Sequence, residues 1–275
     1  MPELPEVETV CRGLRRHIIG RTITEVVVRS DSVIHDQTMS AEVFVARVKG
    51  RTVCEVKRRG KYILLKLDEI WLICHLRMTG KLLFQSATEQ PTKHDHVIFY
   101  LDDGNALFYE DVRRFGGFHL RAEDVMTTEP ISKLGPEPLE EALCAEYLFE
   151  STRKRKRPIK AHLLDQGIVA GIGNIYADEI LFSAGVRPRK SAMRLSRVEA
   201  QAIVDASKHI LSEAIIAGGS TIRDYVDSES REGTFQLSHQ VYGRAGKPCK
   251  HCGTVLKCVT VGGRSSVYCP RCQKS

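Results

Sequence analysis

Two groups of residues in this chain of 275 have the types and spacing to do chemistry, and they sit at its opposite ends. At the front, Met1-Pro2-Glu3-Leu4-Pro5-Glu6-Val7-Glu8 puts a proline in second place. With Met1 trimmed, Pro2 is a free secondary amine. An α-amino group has a pKa of roughly 7.7–8.0 against ~10.4 for lysine, so about a tenth of it is unprotonated near neutral pH. Such an amine condenses with an aldehyde carbon to a cationic iminium, an electron sink. Glu3 beside it is a candidate proton carrier. The same segment also reads as a plain helix start. Pro5, Glu6 and Glu8 suit a first turn, and Val7, Val10, Leu14 and Ile18 recur at helical spacing.

At the back, Cys249-x2-Cys252 and Cys269-x2-Cys272 have the spacing of a four-thiolate zinc site. Four protein ligands leave no position for water, so one structural zinc is expected. Cys258 lies on a strand-like stretch and is not counted as a ligand. Cys11, Cys54, Cys74 and Cys144 stand in apolar contexts and read as reduced core residues. Between the knuckles, 256–261 and 266–269 read as a hairpin around Gly262-Gly263-Arg264. Arg264 at its tip can reach a phosphate or a groove, or simply be solvated.

Two inner segments are weaker candidates. Gly171-Ile172-Gly173-Asn174 is a glycine turn running into a helix, where exposed amides and Asn174 can hold phosphate, although a bare helix–turn–helix bend explains it equally. Lys61, in Arg58-Arg59-Gly60-Lys61-Tyr62, is a surface charge or a cleft contact.

Charge is distributed unevenly. The net charge is +7, but residues 1–150 carry −4 and residues 151–275 carry +11, with a peak at Arg153-Lys154-Arg155-Lys156-Arg157. A polyanion-binding second half behind a near-neutral first half follows. No apolar run approaches the ~20 residues of a membrane span, and no signal-peptide pattern is present, so a cytoplasmic protein is expected.

The elements that must position these groups are of two kinds. Strand patterns crowd 22–29, 53–57, 62–67, 71–76, 81–84, 97–101, 106–109 and 117–120, interrupted by a helix at 40–48. Strands of this density predict a sandwich or barrel. Leu134-Gly135-Pro136-Glu137-Pro138 reads as a linker. Helices follow, including one that opens with a Ser196/Glu199 capping box, turns Ala202, Ile203, Ala206, Ile210 and Ile215 inward, and stops at Gly218-Gly219. The expected class is α+β: a β-sandwich with flanking helices over 1–133, a linker and the start of the helical region over 134–150, a helical domain over 151–238 and a zinc hairpin over 239–275.

In order along the whole chain, PELPEVET, RRGKY, HLRMTG, HDH, DVRRFGG, GPEPL, VAGIGNIYADE, VYGRAGKPC and GGRSSVYCPRCQ resemble the formamidopyrimidine-DNA glycosylase family, the bacterial 8-oxoguanine DNA glycosylases. The resemblance implies a bifunctional glycosylase and AP lyase acting on damaged duplex DNA as a monomer in the bacterial cytoplasm or nucleoid, with 1–133 its catalytic domain and 151–238 a helix-two-turn-helix DNA-binding domain. It makes Pro2 the nucleophile on C1′, Glu3 its acid/base partner, Lys61 a proton donor and phosphate contact, and Arg264 the group tied to δ-elimination. It adds His94, Arg114, Lys156, Asn174 and Tyr176 as DNA contacts, and Met78, Arg113 and Phe115 as the wedge that fills the gap left by an everted base. The 221–234 loop corresponds to the family's variable damaged-base loop. Ser266-Val267, where relatives often have threonine, and Gly167 depart from the family's pattern.

Two rivals stay open at this level. An endonuclease VIII-type enzyme prefers oxidised pyrimidines, and Leu4 argues against it. A non-enzymatic zinc-ribbon DNA-binding protein explains the charge and the cysteines but leaves Pro2, Glu3 and Lys61 without a purpose.

Overall fold

The computed structural model describes every residue except 37, 38, 123, 222–224 and 275. The chain divides into two compact units, Met1–Ser132 with Ala217–Thr234, and Lys133–Ile216 with Phe235–Ser275.

The first unit is built on period-2 patterning. Strands β1 (Ile23–Val28), β6 (Asp95–Leu101), β7 (Asn105–Asp111) and β5 (Gly80–Ser86) form one antiparallel sheet in the order β1-β6-β7-β5. Strands β2 (Val53–Arg59), β3 (Tyr62–Leu67), β4 (Ile70–His75) and β8 (Gly117–Arg121) form a second, in the order β2-β3-β4-β8. All eight strands match the sequence expectation within two residues at each end, the usual scatter of element boundaries. Ile63, Leu65 and Leu67 of one sheet and Val97, Phe99 and Leu101 of the other enter a shared core with Phe118. Each large side chain fully buried there contributes about 1.5–3 kcal/mol. Helix α1 (Leu4–Ile18) adds Val7, Val10, Leu14 and Ile18 to that core, and α2 (Ala41–Val48), capped by the Ser40 hydroxyl, adds Phe44 and Val48.

Residues 217–234 follow the helical region in sequence yet fold with the sheets. Val226 packs on the outer cluster of Leu83, Ile98, Ala106 and Phe108. The Ser228 carbonyl accepts the Phe84 amide of edge strand β5 at 2.8 Å, partly covering that edge.

The second unit comprises α3 (Ala145–Thr152), α4 (Ile159–Leu163), α5 (Asn174–Ser183), α6 (Arg197–Ile216) and the hairpin β9 (Lys257–Val261)–β10 (Arg264–Tyr268). The Ser196/Glu199 capping box forms, with bonds of 2.9 and 3.2 Å. The buried face of α6 is Ala200, Ile203, Val204, Ala206, Ser207, Leu211, Ala214 and Ile215; Ala202 and Ile210 are half-buried, because the inward stripe is rotated from the one expected. Buried Lys160 binds buried Asp178 at 2.7 Å, and Asp178 also accepts the Ser266 hydroxyl and the Val267 amide, so α4, α5 and β10 meet at one ion pair.

Two cysteine expectations fail. Cys11 and Cys74 are buried, but Cys54 and Cys144 are exposed. Cys54 occupies an outward-facing position of β2, and Cys144 caps α3. Among the described residues, no helix is long and apolar enough to cross a membrane.

Candidate functional site

Pro2 and Glu3 immediately precede α1, and both are buried. Glu3 is the N-cap, with extended backbone, and its amide donates to Glu6 Oε2 at 2.8 Å. The same carboxylate accepts the Ser220 amide at Oε1, 2.7 Å away. The Tyr225 hydroxyl donates to the Glu6 carbonyl at 3.2 Å. Residue 6 therefore holds both flanks of 222–224, the part of the expected base-recognition loop that lies outside the described residues. Gly219 makes this approach possible: its φ is +82°, and a Cβ there would lie 2.8 Å from Glu6 Oε1. Glu6 was overlooked as a site residue in the sequence. Its acidic place in the first turn was visible, but its second partner is 214 positions away.

Lys61 lies in the two-residue turn between β2 and β3, where Arg59 pairs with Tyr62. It is only 6% exposed, unusual for a turn lysine, and this removes the reading as a solvated surface charge. Arg58 ties the hairpin to α1, donating to Glu8 Oε2 at 3.1 Å and to the Gly60 carbonyl at 3.1 Å. Burial works against the Glu8 charge, yet the Arg15 hydrogen bond and the Arg15, Arg58 and Arg12 charges together hold its pKa below the ordinary value.

Met78 and Phe115 are large apolar side chains exposed by 45% and 52%, on the β4–β5 and β7–β8 loops. Arg113 bridges them, its guanidinium 4.5 Å from the Phe115 ring centre and its Nη1 3.1 Å from Met78 Sδ. Two solvent-facing apolar residues joined by a planar cation are not core residues. Each loop holds a non-glycine residue at positive φ, Arg77 at 52° and Arg114 at 54°, a conformation that costs of order 1–3 kcal/mol and clusters at functional sites. Arg114 is exposed, and His94 is half-buried in the turn before β6. His75, at the end of β4, accepts the Arg77 amide on Nδ1 at 2.8 Å. Burial first, then the Arg77 and Lys61 charges, lower its pKa to about 3, so it is neutral.

In the second unit, Asn174 is the first residue of α5, after N-cap Gly173, and α5 begins with no side-chain cap. Asn174 Oδ1 is buried and has no hydrogen-bond partner among the described residues. Tyr176 is fully buried, its ring centre 5.8 Å from that of Phe235, so it packs behind the turn rather than on the surface. Lys156 is exposed. Arg264 opens β10 opposite Val261 and is exposed, while Gly262 and Gly263, at φ +55° and +76°, form the tip itself.

The four cysteine sulfurs of Cys249, Cys252, Cys269 and Cys272 lie within 4.8 Å of one another. The Cys249–Cys272 and Cys252–Cys269 separations are 3.9 and 3.5 Å. A tetrahedron with zinc–sulfur bonds of ~2.3 Å requires about 3.8 Å between sulfurs, so one zinc fits. Gln273 braces the second knuckle, accepting the Cys269 amide and donating to the Val186 carbonyl. Cys258 is exposed on β9 and outside the cluster.

Comparison with known proteins gives a consistent answer over the whole length. Residues 1–118 match the formamidopyrimidine-DNA glycosylase N-terminal domain family, 134–226 its H2TH domain, and 246–274 the zinc finger found in FPG and IleRS. The chain is 46% identical over 275 residues to a formamidopyrimidine-DNA glycosylase of Geobacillus kaustophilus, covering 100% of both. It superposes on a Lactococcus lactis FPG mutant in complex with Fapy-dG-containing DNA with a TM-score of 0.93 at 36% identity, covering 100% of each chain. The MutM (FPG) protein of Thermus thermophilus gives 0.88 at 39%, covering 99% of this chain and 98% of that one.

Proposed function

This chain belongs to the formamidopyrimidine-DNA glycosylase family, and from that premise we propose that it excises 8-oxoguanine and formamidopyrimidines from duplex DNA and then cuts the strand as an AP lyase. The observation that carries the reading is the buried Pro2-Glu3 head on α1, set in a chain that matches the family from end to end. The work belongs in the cytoplasm, at the nucleoid of a bacterial cell.

The chemistry follows from a secondary amine. With Met1 removed, the Pro2 nitrogen attacks C1′ of the everted nucleotide and the damaged base leaves. Glu3 passes a proton to the ring oxygen as the sugar opens, leaving a cationic iminium at C1′. The iminium draws electrons from the C1′–C2′ bond region, so a C2′ proton is lost and the 3′ phosphate departs. A second elimination releases the 5′ phosphate, and water frees Pro2. Lys61 takes the role of proton donor and phosphate contact in the first elimination, and Arg264 takes that of backbone contact in the second.

Binding rests on phosphates. His94 and Arg114 from the first unit, and Lys156 and Asn174 from the second, contact the backbone, with Tyr176 supporting the Asn174 turn from behind. Met78, Arg113 and Phe115 enter the stack, where apolar and planar groups offset an unstacking cost of a few kcal/mol. The zinc is a closed structural cross-link that holds the hairpin carrying Arg264 and offers no reactive position.

Excision from matched duplexes carrying 8-oxoguanine or thymine glycol tests the substrate. Preference for 8-oxoguanine is expected; clear preference for thymine glycol would move the chain to the endonuclease VIII type.

A further inference from the structure

The two exposed loops that carry Met78 and Phe115 converge on a side chain that the chemistry above does not use. Asp111, the last residue of β7, has no exposed surface. Its Oδ1 accepts the Thr79 hydroxyl at 2.5 Å and the Arg113 amide at 3.1 Å. Its Oδ2 accepts the Gly116 amide at 2.9 Å and the Tyr109 hydroxyl at 3.3 Å. Four donors from three segments thus end on one carboxylate.

Its main chain adds a third attachment. The Asp111 amide donates to the His94 carbonyl at 3.0 Å, and its carbonyl lies 2.8 Å from His96 Nε2. There is no slack around this point. A Cβ at Gly116 would lie 2.3 Å from the Tyr109 hydroxyl and 2.4 Å from the His75 carbonyl. The positive-φ residues Arg77 and Arg114 flank the same bonds, and such strain persists only where surroundings over-determine it.

We infer that Asp111 is the positioning residue of the wedge: its carboxylate locks the Met78 loop and the Arg113–Phe115 loop into one rigid body aimed at the base stack. The inference rests on the wedge role proposed above. Asp111 does not touch the DNA. It fixes the spacing of groups that do, and a misplacement of about 1 Å in such groups costs up to about a hundredfold in rate.

The physics selects the variant. Asp111→Asn keeps size and one carbonyl oxygen but turns the other acceptor into an NH2 group. Either orientation of the amide sets a donor against a backbone amide, Arg113 or Gly116, which cannot rotate away. In either orientation the Arg113–Phe115 loop loses one of its two backbone bonds to this side chain. Thr79→Val keeps the shape but removes the hydroxyl that donates to Asp111 Oδ1 and accepts the Arg113 amide at 3.2 Å.

The test uses a duplex with 8-oxoguanine flanked by 2-aminopurine, whose fluorescence rises when its neighbour is unstacked, and a second duplex with a preformed abasic site. Asp111→Asn is expected to slow the fluorescence rise and base excision by about tenfold or more while incision at the abasic site changes by less than about threefold, and Thr79→Val to fall between it and the parent. A purely structural role would lower the melting temperature and both activities together, which would overturn the inference. So would parental unstacking by Asp111→Asn when Phe115→Ala has lost it. If Met78→Ala and Phe115→Ala both unstack DNA like the parent, the wedge reading itself fails. If Asp111→Asn does not fold, Thr79→Val decides, and its parental behaviour would count against Asp111.

Discussion

Glu6 accepts the Ser220 amide at 2.7 Å across 214 positions of sequence, on the same carboxylate that accepts the Glu3 amide at 2.8 Å. The helix that carries the proposed catalytic head and the strand of chain that flanks 222–224 are therefore joined through one side chain. Gly219→Ala drives a Cβ into Glu6 and imposes positive φ on alanine. A destabilisation of about 1–3 kcal/mol is expected. A thermal melt indistinguishable from the parent would contradict this arrangement.

The Lys160–Asp178 pair gives a second prediction. Both side chains are fully buried or nearly so, and Lys160 also donates to the Ser265 carbonyl at 2.9 Å. Lys160→Met leaves a buried carboxylate without its cation, a loss of about 3–5 kcal/mol. Replacing both partners by apolar residues of similar size should recover part of it. Denaturant unfolding of the single and double variants measures this directly.

Acid sensitivity follows from buried histidines that fold neutral, His162 and His75 among them. Arg157 Nε donates to His162 Nδ1 at 3.1 Å, so the ring proton sits on Nε2, facing the Ser151 hydroxyl at 2.9 Å. Burial, then the Arg157 charge, lowers the His162 pKa to about 4, and burial brings His75 to about 3. The unfolded chain, with histidine pKa near ~6.5, binds more protons in this window. Stability contributed by the neutral rings is thus intact above about pH 6.5 and lost as pH falls toward 4, by about 1.4 kcal/mol per pH unit for each ring. Between pH 6.5 and 5, His162→Gln should flatten the fall in melting temperature. An unchanged slope would remove His162 from the account.

Metal removal should separate the two cysteine classes. Cys249→Ser is expected to lose its zinc and most DNA binding, because the hairpin that carries Arg264 depends on the knuckles. Cys258→Ser should keep one zinc per chain and parental affinity. Metal analysis with a binding titration reads both, and zinc retained by Cys249→Ser would count against the four-thiolate site.

Phosphate contacts should show in salt dependence. Lys156→Ala is expected to weaken binding to damaged and undamaged duplex alike, and to reduce the slope of log affinity against log salt by about 1. An unchanged slope would leave Lys156 as a solvated charge.

Much of this was legible in the chain itself. Alternating patterns between turns marked all eight sandwich strands, and Ser40 and Ser196 marked helix starts, because strand pleat and helix caps are local physics. The four thiolates were legible because metal ligation demands fixed spacing. What lay hidden was non-local. Nothing near Ala217–Thr234 says that this stretch returns to the sheets. Asp111 reads as a strand-end acid until its four donors meet in space. Cys54 and Cys144 look like core residues by type, and Tyr176 looks available until its ring is found against Phe235.

The central claim is that Pro2 is the nucleophile, and borohydride trapping tests it most directly. Protein with Met1 removed, mixed with 8-oxoguanine duplex and borohydride, should yield a reduced covalent adduct that maps to Pro2. Protein retaining Met1, or with its amine blocked, should give none while still binding the duplex. An adduct of equal yield from the blocked protein, or no adduct from the processed one, would contradict the account.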